Sequence, residues 1–157
     1  MIIVYCFLAT LLGMLIGAFL IRGEYCYKVE EKEKLSDKHL EMFLLMYFWV
    51  RNLQEGKEIH TFLKEKGYKN ISIYGLNYIG KCLWEELNNG NIQINNVIDK
   101  NKHVKYKNVV VKSPDDEIEK TDLIIVTALY FFEEVKRELE VKVDCPIISL
   151  EDIVYKM

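Results

Sequence analysis

The residues best placed to do chemistry are Gly75-Leu-Asn-Tyr-Ile-Gly80 and Asp99. The hexapeptide follows a β-rich run, Ile71-Ser-Ile-Tyr74, and leads into a helical pattern. That is the place of the G-x-G-x-x-G turn in a dinucleotide fold, with Asn77 standing where the middle glycine would be. In such a turn Gly75 makes the tight bend and Gly80 lets the helix pack close to the sheet. The helix N-terminus then offers free N–H groups and a positive dipole end to a phosphate. Asp99 ends the next strand pattern, where its carboxylate would accept hydrogen bonds from a ribose hydroxyl. Asn77 is a departure from the pattern. It tolerates left-handed backbone better than most residues, but its side chain takes up room a pyrophosphate would need. A turn kept for packing alone is the competing reading, and Asp99 before Lys100-Asn101 also reads as a strand-end turn residue.

In open α/β sheets ligands gather beyond the carboxyl ends of the strands, where the strand order reverses. That rule selects Gly75, Leu76, Asn77, Tyr78, Gly80, Asp99, Thr127 and Ala128 as cofactor-binding candidates. The cofactor to expect is NAD or NADP. Asp99 favours NAD, while Lys100 and Lys102 lie close enough to blur that preference. Tyr130 is expected to cover the sheet edge by packing.

A catalytic set is missing from the sequence. The Tyr-x-x-x-Lys pair of short-chain dehydrogenases occurs nowhere, nor does a G-x-S-x-G elbow or a P-loop. His39, His60 and His103 are scattered, and the acid pairs Glu30-Glu31, Asp115-Asp116 and Glu133-Glu134 read as solvated faces or helix first turns. No catalytic residue and no metal ligand is assigned. The cysteines Cys6, Cys26, Cys82 and Cys145 form no C-x-x-C pair and fit reduced thiols.

The elements that would position these residues are legible as alternating runs. Strand patterns fall at 71–74, 96–98, 109–111, 123–126 and 147–148, with helical patterns at 79–87 and 132–139. Alternation of this kind predicts an α/β fold with a five-stranded parallel sheet, Rossmann-like, in the order 3-2-1-4-5. Ser113-Pro114-Asp115-Asp116 reads as a cap and N1 proline opening a short helix before the fourth strand. Upstream, Ser36 or Asp37 would cap a helix reaching Gln54, and a shorter amphipathic helix spans 58–66, stopped by Gly67. The run Met42-Phe-Leu-Leu-Met-Tyr-Phe-Trp-Val50 is apolar on every side, so more than one face must be covered. One face should pack on its own domain and another on the membrane surface, a second copy (a homo-oligomer) or a partner protein; a fully intramolecular core helix is the alternative.

The first charged residue is Arg22. At about 1.5 Å per residue, 21 uncharged residues can cross a hydrocarbon core of roughly 30 Å. No basic residue precedes the run and no A-x-A-like exit follows it, so an uncleaved anchor is expected rather than a signal peptide. Arg22, Lys28, Lys32, Lys34 and Lys38 all follow it, which places the C-terminal part in the cytoplasm by the positive-inside rule. Gly13 and Gly17, extended by Ala9, form a small-residue face that would let two such helices approach. The expected organisation is an anchor at 1–21 (membrane contact through 2–21), a charged linker at 22–34, a helical segment at 35–67 and the sheet domain at 68–157. The chain has 157 residues and net charge −3 without a basic block, which excludes nucleic acid as a partner.

Four stretches carry a resemblance: Lys69 to Gly80, Val97-Ile-Asp-Lys-Asn101, Asp122-Leu-Ile-Ile-Val-Thr127 and Cys145-Pro-Ile-Ile-Ser-Leu-Glu-Asp-Ile153. Together they resemble small Rossmann-like proteins of bacterial surface-polysaccharide gene clusters, labelled nucleoside-diphosphate-sugar epimerase-like or NAD(P)-binding. The resemblance covers roughly residues 35 to 157. It implies a module that binds a nucleotide, NAD(H) or a nucleotide sugar and assists glycan assembly at a membrane, with a glycosyltransferase as the partner to expect on the Met42–Val50 run. Two alternatives stay open: a sugar-nucleotide epimerase or oxidoreductase completed by a partner, and a ligand-free interaction protein.

Overall fold

A computed structural model describes residues 1–90 and 92–157, leaving out Asn91 and the side chains of Ile2, Ile3, Leu8, Ala9, Leu15, Leu20, Glu24 and Cys26. The extension of the small-residue face to Ala9, and the thiol of Cys26, therefore lie outside the described residues. In chain order the elements are α1 (Ile2–Gln54), α2 (Ile59–Glu65), β1 (Asn70–Tyr74), α3 (Tyr78–Asn89), β2 (Gln93–Ile98) and β3 (Val111–Lys112). They continue with β4 (Leu123–Val126), a 3-10 turn (Leu129–Phe131), α4 (Phe132–Leu139), β5 (Ile147–Ser149) and α5 (Leu150–Val154). The chain divides into two compact units, Met1–Met42 and Phe43–Met157.

The first unit is helical and its N-terminal stretch is long and apolar enough to cross a membrane, with mean hydropathy 2.4 over its most apolar window. The charged segment 22–34 lies within α1. Its residues are good helix formers, it lacks proline, and Glu30 and Lys34 stand four apart with opposite charge. Ser36 and Asp37 accordingly sit inside α1 and do not begin a helix.

In the second unit, the end of α1 buries Leu45 and Trp49 while Phe43, Tyr47 and Val50 stay exposed. The apolar run thus has one face on its own domain and one in solvent. The sheet is fully parallel, in the order β3-β2-β1-β4-β5. The inner strand β4, Leu-Ile-Ile-Val, is buried along its whole length, which is why it reads as an unbroken apolar run. Ile71, Ile73, Leu123, Ile124, Ile125 and Ile98 are fully enclosed. Two buried polar residues sit side by side in this interior, Asn96 donating to Ser72 Oγ at 2.8 Å. Asn96 Oδ1 accepts from Lys112 Nζ at 2.8 Å and from the Glu119 amide at 3.0 Å. Pairing polar groups in this way removes the penalty of leaving them dry and unbonded.

Two local expectations are corrected. The third strand is Val111–Lys112, not 109–111. Ser113 to Asp116 forms a turn rather than a helix start: the Asp116 amide donates to the Ser113 carbonyl at 3.0 Å, and Asp116 Oδ2 accepts from the Ser113 amide at 2.7 Å. Proline at the second position suits a tight turn as well as a helix start, and β4 is the next element in the chain. A last helix, α5, capped by Ser149 Oγ on the Glu151 amide, had no expectation attached to it.

Candidate functional site

Chain order reverses between β1 and β4, and the register aligns their carboxyl ends: Tyr74 pairs with Val126 on one side and with Ile98 on the other. Just beyond these ends is a cleft of about 220 Å³, closed on its far side by α4. Tyr74, Gly75, Asn77, Asp99, Lys100 and Ala128 line it from the strand ends, and Phe131, Glu134 and Val135 line it from the α4 side.

The loop entering α3 is built for close approach. Gly75 has φ +98, a conformation L side chains rarely adopt, and its amide donates to the Ile98 carbonyl at 2.7 Å. Any Cβ at Gly80 would stand 2.0 Å from the Gly75 carbonyl oxygen. Thr127 is buried and its hydroxyl donates to that same carbonyl at 2.6 Å. Leu76 is buried and its amide donates to Asp99 Oδ2 at 2.7 Å, while Asp99 Oδ1 accepts from the Asn101 amide at 2.8 Å. Asp99 therefore ties the Gly75 loop to the end of β2 and still presents its carboxylate to the cleft.

Asn77 caps α3. Its Oδ1 accepts from the Gly80 amide at 2.9 Å and its Nδ2 donates to the Thr127 carbonyl at 3.2 Å. The amide that a glycine at this position would leave for a phosphate is already satisfied.

Of the eight candidates from the sequence, Gly75, Asn77, Asp99 and Ala128 come together around the cleft. Leu76, Gly80 and Thr127 hold the loop in shape behind it, and Tyr78 is 82% exposed and does not line it. The sequence reading missed Tyr74, Lys100, Phe131, Glu134 and Val135 as lining residues. Lys100 and Glu134 meet at 2.8 Å across the rim, a contact that raises the lysine's proton affinity and lowers that of the carboxylate.

Tyr74 is the unusual member. It is 3% exposed, it packs with Ile98, Val126 and Val135, and its hydroxyl has no hydrogen-bond partner among the described residues. Burial first, and then the Glu138, Asp99 and Glu134 carboxylates against the pull of Lys100, push this phenol up to about 12. It stays protonated, hence a donor, at neutral pH.

Three larger hollows, of about 350 Å³ beside Thr121 and Cys145, about 600 Å³ beside Gly56 and Phe62, and about 360 Å³ along Glu31 to Lys38 of α1, are lined by no buried unpartnered polar atom among the described residues. Among those residues no group of His, Cys, Asp and Glu is placed to hold a metal ion. In comparison with known proteins, no family model, curated protein or solved structure matches the chain.

Proposed function

We propose that the chain is a membrane-anchored, Rossmann-like module whose cytoplasmic part binds a nucleotide, NAD(H) or a nucleotide sugar, and which assists surface-polysaccharide assembly without chemistry of its own. The observation that carries the reading is the cleft at the β1/β4 reversal, with an unpartnered buried hydroxyl in its lining and a carboxylate at the β2 end. Ligands of open parallel sheets bind at that place, and a buried polar group without a partner calls for an explanation. The absence of Tyr-x-x-x-Lys from the sequence argues against epimerase chemistry in this chain alone. The polysaccharide context rests on the resemblance of the four strand-end stretches.

The test is a thermal-shift panel on the full chain in detergent micelles with NAD, NADP, UDP, UDP-sugars and CoA, beside an Ala128→Trp variant that fills the cleft. Stabilisation by one ligand class, lost in Ala128→Trp, is the expected result. No shift with any ligand in a well-folded sample refutes the reading.

A second reading is favoured by the exposed face of Phe43, Tyr47 and Val50. It makes the chain an interaction module, and charged substitutions at Phe43 and Tyr47 would then abolish association while the panel stays silent.

A further inference from the structure

We infer that Tyr74 is the residue that reads the ligand: its hydroxyl donates to an acceptor atom on an uncharged ring, a nucleoside or sugar unit, lodged in the cleft while any phosphates stay outside. This rests on the ligand-binding reading above and names the chemistry that the cleft selects.

Three observations carry it. First, the Tyr74 side chain is buried in an apolar cluster, lines the cleft, and has an unsatisfied hydroxyl. A buried hydroxyl with no partner among the described residues costs the free protein stability, and an acceptor arriving in the cleft removes that penalty. Second, the cleft is small. At about 220 Å³ it falls below the roughly 300–1,000 Å³ of pockets that enclose a whole drug-sized ligand, so it suits a single ring. Third, the charges oppose an anion. Asp99 and Glu134 line the rim with Lys100 as the single cation, and Lys100 is ion-paired to Glu134 at 2.8 Å. The nearby α3 amide of Gly80 is taken by Asn77. A phosphate would find excess negative charge and the Gly80 amide already taken. An uncharged ring meets the apolar side of Phe131, Val135 and Ala128, with the Asp99 carboxylate as acceptor and Tyr74 as donor.

The test is Tyr74→Phe in the full chain, in micelles, with two readouts. Removing an unpartnered buried hydroxyl should raise the melting midpoint of the free protein, by roughly 4 °C. Equilibrium titration with adenosine, NAD, UDP and UDP-N-acetylglucosamine should show that the ring ligand bound by the wild type binds the variant about tenfold more weakly. Binding of adenosine identifies a nucleoside ring. Binding of UDP-N-acetylglucosamine but not UDP identifies a sugar ring. A lower midpoint in the free variant overturns the inference, because the hydroxyl would then be a structural partner. Unchanged affinity in a variant that still binds overturns it while leaving ligand binding intact. Failure of every ligand to bind the wild type overturns both.

Discussion

Replacing Gly80 by alanine probes the geometry on which the cleft depends. The added methyl would sit 2.0 Å from the Gly75 carbonyl oxygen and 3.1 Å from Thr127 Oγ1. Real contacts of this kind do not fall below 3.0 Å, so the Gly75 loop or the start of α3 must retreat by at least the difference, about 1 Å. Three hydrogen bonds hang on that spacing: Thr127 Oγ1 to the Gly75 carbonyl at 2.6 Å, the Leu76 amide to Asp99 at 2.7 Å, and the Gly80 amide to Asn77 at 2.9 Å. Each contributes about 1 kcal/mol net, and forcing a methyl into a packed site costs about 1–3 kcal/mol. Loss of one or two of the bonds on top of the clash gives about 3 kcal/mol. At roughly 4 °C per kcal/mol for a unit of this size, the melting midpoint should fall by about 12 °C. Fluorescence of Trp49, which is buried in the same unit, reports the transition. Gly17→Ala is the control, since nothing lies within 4 Å of a Cβ there. A Gly80→Ala midpoint within about 1 °C of the wild type would refute the packing argument and, with it, the described shape of the cleft.

Three further perturbations test neighbouring parts of the account. Glu86 accepts from Trp49 Nε1 at 2.6 Å and from the Ile59 amide, so Glu86→Ala leaves two donors without partners and should cost about 2–3 kcal/mol by urea unfolding. Asp122 accepts from the Lys69 and Asn70 amides at 2.9 and 2.8 Å, which holds its carboxyl below the ordinary value of 3.8. A depressed carboxylate stabilises the fold above its unfolded pKa, and the effect is lost as pH falls through the folded value. Asp122→Asn should therefore flatten the acid side of a stability–pH profile. Asn77→Gly removes the cap on Gly80, which should lower stability by only a few tenths of a kcal/mol. It should also tighten the binding of diphosphate-bearing ligands in a titration, because the helix amide becomes available.

The sheet was legible because short β-rich runs such as Ile71–Tyr74 and Leu123–Val126 alternate with helical ones, and such an alternation admits few topologies. The residue range 132–139 likewise stood out as helical and matches α4. The loop residues Gly75, Asn77 and Asp99 were found through spacing, since a strand–turn–helix unit fixes where they fall. The far wall of the cleft was not legible. Glu134 looks like a solvated first-turn acid until α4 is seen leaning over the strand ends toward Lys100. Tyr74 gave a weak signal, a polar-tipped residue closing an apolar strand, but its missing partner is a fact of packing. The charges of segment 22–34 masked its helical character, which its helix-forming residues supply by carrying α1 straight through. Similarly, proline after Ser113 suits two structures, and only the fold, in which β4 is the next element, decides for a turn.

The central claim is that a ring-bearing nucleotide occupies the cleft at the β1/β4 reversal. Photolabelling of the full chain with azido derivatives of NAD and UDP-N-acetylglucosamine, followed by peptide mapping, tests it most directly. The account predicts one adduct, on Tyr74 or within the stretch from Ala128 to Val135, suppressed by excess of the parent nucleotide. Labelling that the parent compound does not suppress, or that falls elsewhere on the chain, would contradict it.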